Sequence, residues 1–251
     1  MNHMNCKNCG QIVEGNYCSN CGQKTSVVRL TFSTLVKELS ESIFQVNRGF
    51  FYTFKELLLR PGEGIKDYLD GKRKRHFKPI AYLLLLSTLY FLVTQVSGQN
   101  TWMDDIITGF TLGALDKGDS LQMPPVITWL SKNYAYTTLL LLPVFTLASY
   151  FSFRKYGINY VEHFVLNSYI TGQQAVAYSI LALIQTFVAY KPLEALPLFI
   201  SLSYAFWVFA KFFKTGHKLN IFLRSILTYA IYMILSGGIL TVILGIIEIV
   251  N

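Results

Sequence analysis

Residues 71–96 read GKRKRHFKPIAYLLLLSTLYFLVTQV. Lys72, Arg73, Lys74, Arg75 and Lys78 crowd the front of this stretch, and no charged residue follows from Pro79 to Val96. About 20 apolar residues cross a bilayer as a helix, and a cluster of cations beside such a run stays on the cytoplasmic side. Pro79 thus divides the chain into a cation-rich front and a membrane part. Composition agrees: of 251 residues, 52% are hydrophobic and 14% charged, against about 25% charged in soluble domains.

Four more apolar runs join the first at 79–96: 135–153, 164–190, 193–213 and 222–250. The third and fifth spans are long enough to tilt or to begin in the interface. Cations set the orientation. With residue 1 in the cytosol, 19 of the 22 Lys and Arg face inward: 13 before Pro79, then Arg154, Lys155, Lys211, Lys214, Lys218 and Arg224. Only Lys117, Lys132 and Lys191 face outward, and the opposite orientation would invert that bias. The expected fold is therefore an all-α polytopic membrane protein. It has a five-helix transmembrane bundle (79–251), a cytosolic N-terminus and a C-terminus outside. The polar first 25 residues argue against a cleavable signal peptide. In the outer segment, 97–134, Trp102, Ile106 and Phe110 recur every four residues with Met103 and Ile107 beside them. That spacing predicts a short helix on the outer leaflet or over the bundle.

All four cysteines lie in the first 21 residues, as Cys6-x2-Cys9 and Cys18-x2-Cys21. Each pair bites one metal from a tight turn, and Gly10 and Gly22 supply backbone freedom just behind it. Four thiolates around tetrahedral Zn2+ leave no open position, which makes a structural rather than a catalytic site. The zinc ribbon, 1–24, is too short to bury a core, so metal binding would supply most of its folding energy. Thiols stay reduced in the cytosol, and this places residue 1 on the side that cation counting chooses. The ribbon has a net charge of +1 from Lys7, Lys24 and Glu14, and Tyr17 as its one aromatic. That argues against nucleic acid, which wants a basic patch with stacking rings. A module for an unknown cytosolic protein and a purely structural cap both fit.

Between ribbon and bundle, residues 25–78 read as juxtamembrane amphipathic helices. Phe32, Leu35, Val36, Leu39, Ile43 and Val46 keep helical spacing from an N-cap at Thr31. Phe50, Phe51, Phe54, Leu57 and Leu58 form a second stripe, ended by Pro61-Gly62. Ile65, Tyr68 and Leu69 mark a third. Aromatic amphipathic helices beside cations lie in the headgroup layer. Lys72, Arg73, Lys74, Arg75 and Lys78 then either contact anionic headgroups, each contributing about 1 kcal/mol, or serve only as a topology signal.

The third span carries His163, Asn167, Thr171, Gln174, Tyr178 and Gln185 at helical spacing. Polar side chains in lipid turn toward other helices or water. The stripe is either a polar cavity or a set of interhelical hydrogen bonds worth about 0.6–2 kcal/mol each. No Asp, Glu, Lys or Arg lies near a span centre, which disfavours coupled ion transport. No nucleophile stands with a base, and no phosphate-cradling glycine loop is present. Three places carry a resemblance: the two Cys-x2-Cys-Gly knuckles; Gly49-Phe50-Phe51-Tyr52-Thr53 through Arg60-Pro61-Gly62, Ile65, Tyr68-Leu69, Gly71-Lys72-Arg73, Pro79 and Tyr82-Leu83-Leu84; and Tyr160-Val161-Glu162-His163-Phe164-Val165. In these the chain resembles the bacterial membrane family called domain of unknown function 3667. The resemblance implies a fold plan and no reaction. The expected role is a non-enzymatic inner-membrane adaptor displaying a zinc ribbon. The alternative is a transporter or lipid-handling protein for a neutral or zwitterionic solute.

Overall fold

The computed structural model describes residues 4–35, 49–102, 104–106, 108–109, 124–188, 195–214 and 217–250, with side chains up to residue 246. The expected helix from Thr31 to Val46 lies outside the described residues except for one turn at 32–35. In the outer segment, residues 102, 104–106 and 108–109 are helical, while Met103, Ile107 and Phe110 lie outside the description.

The chain opens with an antiparallel hairpin of β1 (Met4–Asn5) and β2 (Ile12–Val13), in the register Met4 to Val13 and Asn5 to Ile12. Among the described residues, eight α-helices of eight residues or more follow: α1 (Gly49–Leu59), α2 (Pro61–Leu69), α3 (Pro79–Ser97), α4 (Pro125–Lys132), α5 (Tyr134–Phe153), α6 (Tyr160–Phe187), α7 (Leu196–Phe212) and α8 (Lys218–Val250). Pro61 has no N–H to continue the ladder of α1, so the chain restarts there as α2. A capping box opens α6. The Asn159 side chain accepts from the Glu162 N–H at 2.8 Å, and the Glu162 carboxylate accepts from the Asn159 N–H at 2.8 Å. This helix therefore begins four residues before the apolar run expected from Phe164.

The five long helices run alternately up and down. Their lower ends meet at one base: the start of α3, the end of α5, the start of α6, the end of α7 and the start of α8. At that base Arg224 donates to the Ser152 carbonyl, and the Phe153 and Phe213 rings stack 4.2 Å apart. At the far end the Trp102 indole N–H donates to the Tyr134 hydroxyl at 2.7 Å, and its backbone N–H donates to the Tyr90 hydroxyl at 3.1 Å, completing a small aromatic lid. Helix α6 is the central element, with buried residues along most of its length. Gly172 lets α3 approach: a Cβ there would lie 2.7 Å from the Tyr82 ring.

Among the described residues three helices are long and apolar enough to cross a membrane: Pro79–Ser97, Tyr134–Tyr156 and Lys218–Ile246. The 17 residues of α7 are apolar but shorter, and α6 carries the polar stripe. Helices α1 and α2 turn part of their expected apolar stripe onto the bundle. Their stripe packs under the base, where Leu57, Ile65 and Tyr68 are buried. The Phe50 and Tyr82 rings lie 5.7 Å apart, as do Tyr68 and Tyr169. Tyr204 of α7 donates to the Leu57 carbonyl at 3.0 Å. The helix-period pattern marks a face to be buried, and here protein covers it; Phe51 and Leu58 stay exposed.

Candidate metal centre and its docking interface

The two cysteine pairs build the same knuckle twice. In the first, the Cys6 N–H bonds to the Gln11 carbonyl and the Gly10 N–H to the Cys6 carbonyl, both at 2.8 Å. In the second, Cys18 bonds to Gln23 and Gly22 to Cys18, again at 2.8 Å. Gly10 and Gly22 take φ of +78° and +69°, a left-handed turn that strains other residues. The pairing of Asn5 with Ile12 is repeated by Tyr17 with Lys24, so the ribbon has an approximate twofold.

This geometry brings the four sulfurs within 4.8 Å of one another. Cys6 Sγ lies 3.6 Å from Cys21 Sγ, and Cys9 Sγ 3.5 Å from Cys18 Sγ. A tetrahedron of sulfurs about 2.3 Å from a metal has edges near 3.8 Å, so the site fits one ion held by both knuckles. The Gln11 N–H holds the Cys9 thiol down at about 6, while burial raises Cys21 to about 11. A bound cation requires all four as thiolates, and would supply the charge that keeps them so.

The ribbon is docked. Gln23, next to the second knuckle, donates from Nε2 to the Gly71 carbonyl at 2.8 Å. Its Oε1 accepts the backbone N–H groups of Arg73 and Lys74 at 3.1 and 3.2 Å. Gly71, at φ +107°, gives Val27 room: a Cβ would stand 2.6 Å from Val27 Cγ1. The tail then continues across the base. Arg73 Nη2 donates to the Val28 carbonyl at 3.0 Å. Arg29 grips both oxygens of Glu162, at 2.7 and 2.8 Å, and also donates to the Gly157 carbonyl. Leu30 is buried, and Asn159 reaches its carbonyl at 3.5 Å.

The basic segment is therefore partly occupied by its own chain. Lys72 pairs with Asp67 at 2.7 Å. Arg73 serves the tail and lies over the Tyr68 ring. Lys74 and Arg75 remain exposed, and Lys78 is half-buried at the start of α3. His76 is buried, its Nδ1 2.8 Å from the Lys72 carbonyl, and burial holds its pKa below the ordinary value. The α1 residue Thr53 accepts the Phe77 N–H at 2.7 Å, so the segment is wedged between α1 and the ribbon. Glu162 and His163 are adjacent in sequence but part company. Glu162 faces Arg29, whereas His163 turns into the bundle.

The polar stripe of α6 divides in two. Near the base, His163 Nδ1 lies 3.1 Å from Ser149 Oγ, and Asn167 donates to the same hydroxyl at 2.7 Å; all three are wholly buried. Higher up, Gln174 donates to the Ser201 carbonyl at 3.0 Å and the Tyr229 hydroxyl at 3.2 Å. Tyr178 donates to Ser201 Oγ at 2.7 Å. Thr171, Gln174 and Tyr178 border a cavity of about 180 Å³ between α5, α6, α7 and α8; His163, Asn167 and the half-buried Gln185 do not line it. The docking residues Gln23 and Arg29 carry no local sequence signal, because their partners lie 48 and 133 positions away. The capping pattern Asn159-x-x-Glu162 was readable and gives the true start of α6.

Fold and site together define a class: an all-α protein with candidate membrane spans and a four-cysteine cluster able to hold a metal ion. Over residues 47–91 the chain matches the family described as Protein of unknown function (DUF3667). That stretch runs from the start of α1 through the basic segment into α3, and it contains the second of the three blocks that carry the resemblance. No curated protein and no solved structure matches the chain.

Proposed function

We propose that the protein is a non-enzymatic, five-span protein of the bacterial inner membrane that holds a zinc ribbon against the cytosolic base of its bundle and presents it to a cytosolic protein. The five-span reading is supported by the alternation of the helices. Both α5 and α8 have their lower ends at the base, so α6 and α7 between them form one ascent and one descent alongside helices of membrane length. The cytosolic side follows from the 19 inward cations and from a set of thiols that must stay reduced. Four soft sulfurs at tetrahedral spacing favour Zn2+ in a closed structural site. Exposed Lys74 and Arg75 face the anionic leaflet, each contributing about 1 kcal/mol.

The observation that carries this reading is the double clasp of Gln23 and Arg29. It fixes the ribbon in one pose and leaves Met4, Ile12 and Tyr17 exposed, at 60, 59 and 63%. A ribbon free on a tether would need no such clasp. Catalysis finds less support, since the Ser149 hydroxyl is wholly buried and receives Asn167 as well as facing His163. Affinity capture in mild detergent tests the reading, with Ile12→Asp and Tyr17→Asp compared with the unaltered chain at equal zinc content. A captured protein should be lost from both variants and from Cys6→Ser. Identical capture by all of them refutes a presenting ribbon.

A further inference from the structure

The cavity between α5, α6, α7 and α8 is walled mostly by carbon. Its Gln174 and Tyr178 donors are engaged, while the buried Thr138 hydroxyl has no partner among the described residues. The Gln174 amide is shared by the Ser201 carbonyl and the Tyr229 hydroxyl, and the Tyr178 hydroxyl goes to Ser201 Oγ. Trp102 directs its N–H away, to the Tyr134 hydroxyl. Among the described residues, no charged side chain borders the space. What it offers an occupant is ring faces from Trp102, Phe145, Tyr178, Tyr229 and Tyr232, and aliphatic carbon. At about 180 Å³ it exceeds an apolar cavity of about 150 Å³ that stays dry and takes up a benzene-sized hydrocarbon.

We infer that this cavity is a binding site for one acyl chain of a membrane lipid. The rim supplies the entry. Leu198 of α7 and Met233 of α8 border the cavity and are about half exposed on the outside of the bundle. Ser201 lies within two turns of the upper end of α7, so the opening is in the half away from the ribbon. The chain therefore comes from the leaflet opposite the basic segment. Its occupancy replaces a void lined by aromatic carbon with dispersion contacts, which a water molecule could not supply. The site goes beyond the adaptor reading and does not depend on the ribbon.

The test uses Trp102 as a reporter. The full chain with Trp129→Phe and Trp207→Phe retains one indole and is reconstituted in phosphatidylcholine vesicles brominated near the chain end, at mid-chain or near the carbonyl. A chain lodged beneath Trp102 gives stronger quenching from mid-chain or chain-end bromine than from carbonyl-proximal bromine. Filling the cavity with Thr138→Phe or, separately, Leu202→Phe should then reduce the deep quenching at least twofold. Strongest quenching from carbonyl-proximal bromine overturns the site. So does unchanged deep quenching in a filled variant that keeps the parent Tm. If both filled variants unfold, the depth profile of the parent alone decides.

Discussion

Replacing Gln23 by Ala isolates the contact between the ribbon and the basic segment. Gln23 is 6% exposed, and its side chain serves three backbone groups: the Gly71 carbonyl and the Arg73 and Lys74 amides. Removing one partner of a buried hydrogen bond costs about 1–3 kcal/mol when the other partner is left unsatisfied. The bonds to the Arg73 and Lys74 amides are only part-buried, so water replaces the lost partner there, and the range for one unsatisfied group applies to the whole contact. A total loss of about 1–3 kcal/mol in the local opening energy corresponds to roughly 5- to 150-fold faster opening. Hydrogen exchange of a peptide spanning residues 71–76, measured on the full chain in detergent, reads that quantity. The ribbon carries its own control. Gln11 holds the same place in the first knuckle but is exposed, so Gln11→Ala should leave the 71–76 peptide unchanged. Exchange within twofold of the parent in Gln23→Ala at full metal content, or an equal effect from Gln11→Ala, refutes the reasoning.

Stripping the metal with a chelator should accelerate exchange of the same peptide at least as much as Gln23→Ala, since the second knuckle positions Gln23; undiminished protection after metal loss would show docking to be independent of the sulfur site. Gly62→Ala should lower the Tm in detergent more than Gly64→Ala. A Cβ at Gly62 meets the α7 backbone, 2.6 Å from the Phe212 nitrogen, whereas at Gly64 it meets the Glu56 side chain at 3.1 Å. Overpacking of the first kind costs about 1–3 kcal/mol, and equal Tm values would contradict the close approach of α2 and α7. Acidification should weaken the base through His76. Burial depresses its folded pKa below 6.5, so the unfolded chain takes up the proton first, and the contribution is full above about 6.5 and declines as pH falls. His76→Phe should flatten that part of the stability profile, and an unchanged slope removes His76 as the cause.

Much of this arrangement is readable from local pattern, and the unread part is non-local. Chelation imposes its spacing on a few consecutive residues, so Cys6-x2-Cys9 and Cys18-x2-Cys21 announce a site that the folded chain assembles within 4.8 Å. Apolar runs likewise locate α3, α5 and α8. Hydropathy marks where lipid-compatible residues begin, and a helix begins where its first N–H groups are capped; that is why α6 starts at Tyr160 rather than Phe164. For α1 and α2 the period shows that one face is covered but not by what. The stripe of α6 looked continuous because its own spacing is regular. Its neighbours divide it: α5 brings Ser149 to the lower residues, while α7 brings Ser201 to the upper ones. Gln23 and Arg29 illustrate the limit, since an isolated amide or guanidinium takes its meaning from residues far along the chain.

The twofold of the ribbon creates an ambiguity that its own knuckles cannot resolve. Gln11 and Gln23 are the same residue at the same point of duplicated turns, so a socket formed by the Gly71 carbonyl and two amides could receive either one by a half-rotation of the ribbon. What breaks the tie is the strap from Val27 to Leu30, and chiefly the fork of Arg29 on Glu162, which is a selector of pose more than a source of strength. It follows that Arg29→Ala should leave metal affinity almost untouched while letting two poses interchange. The sign would be partial exchange protection shared between the 10–12 and 22–24 segments. Protection confined to 22–24 in that variant would locate the selector elsewhere.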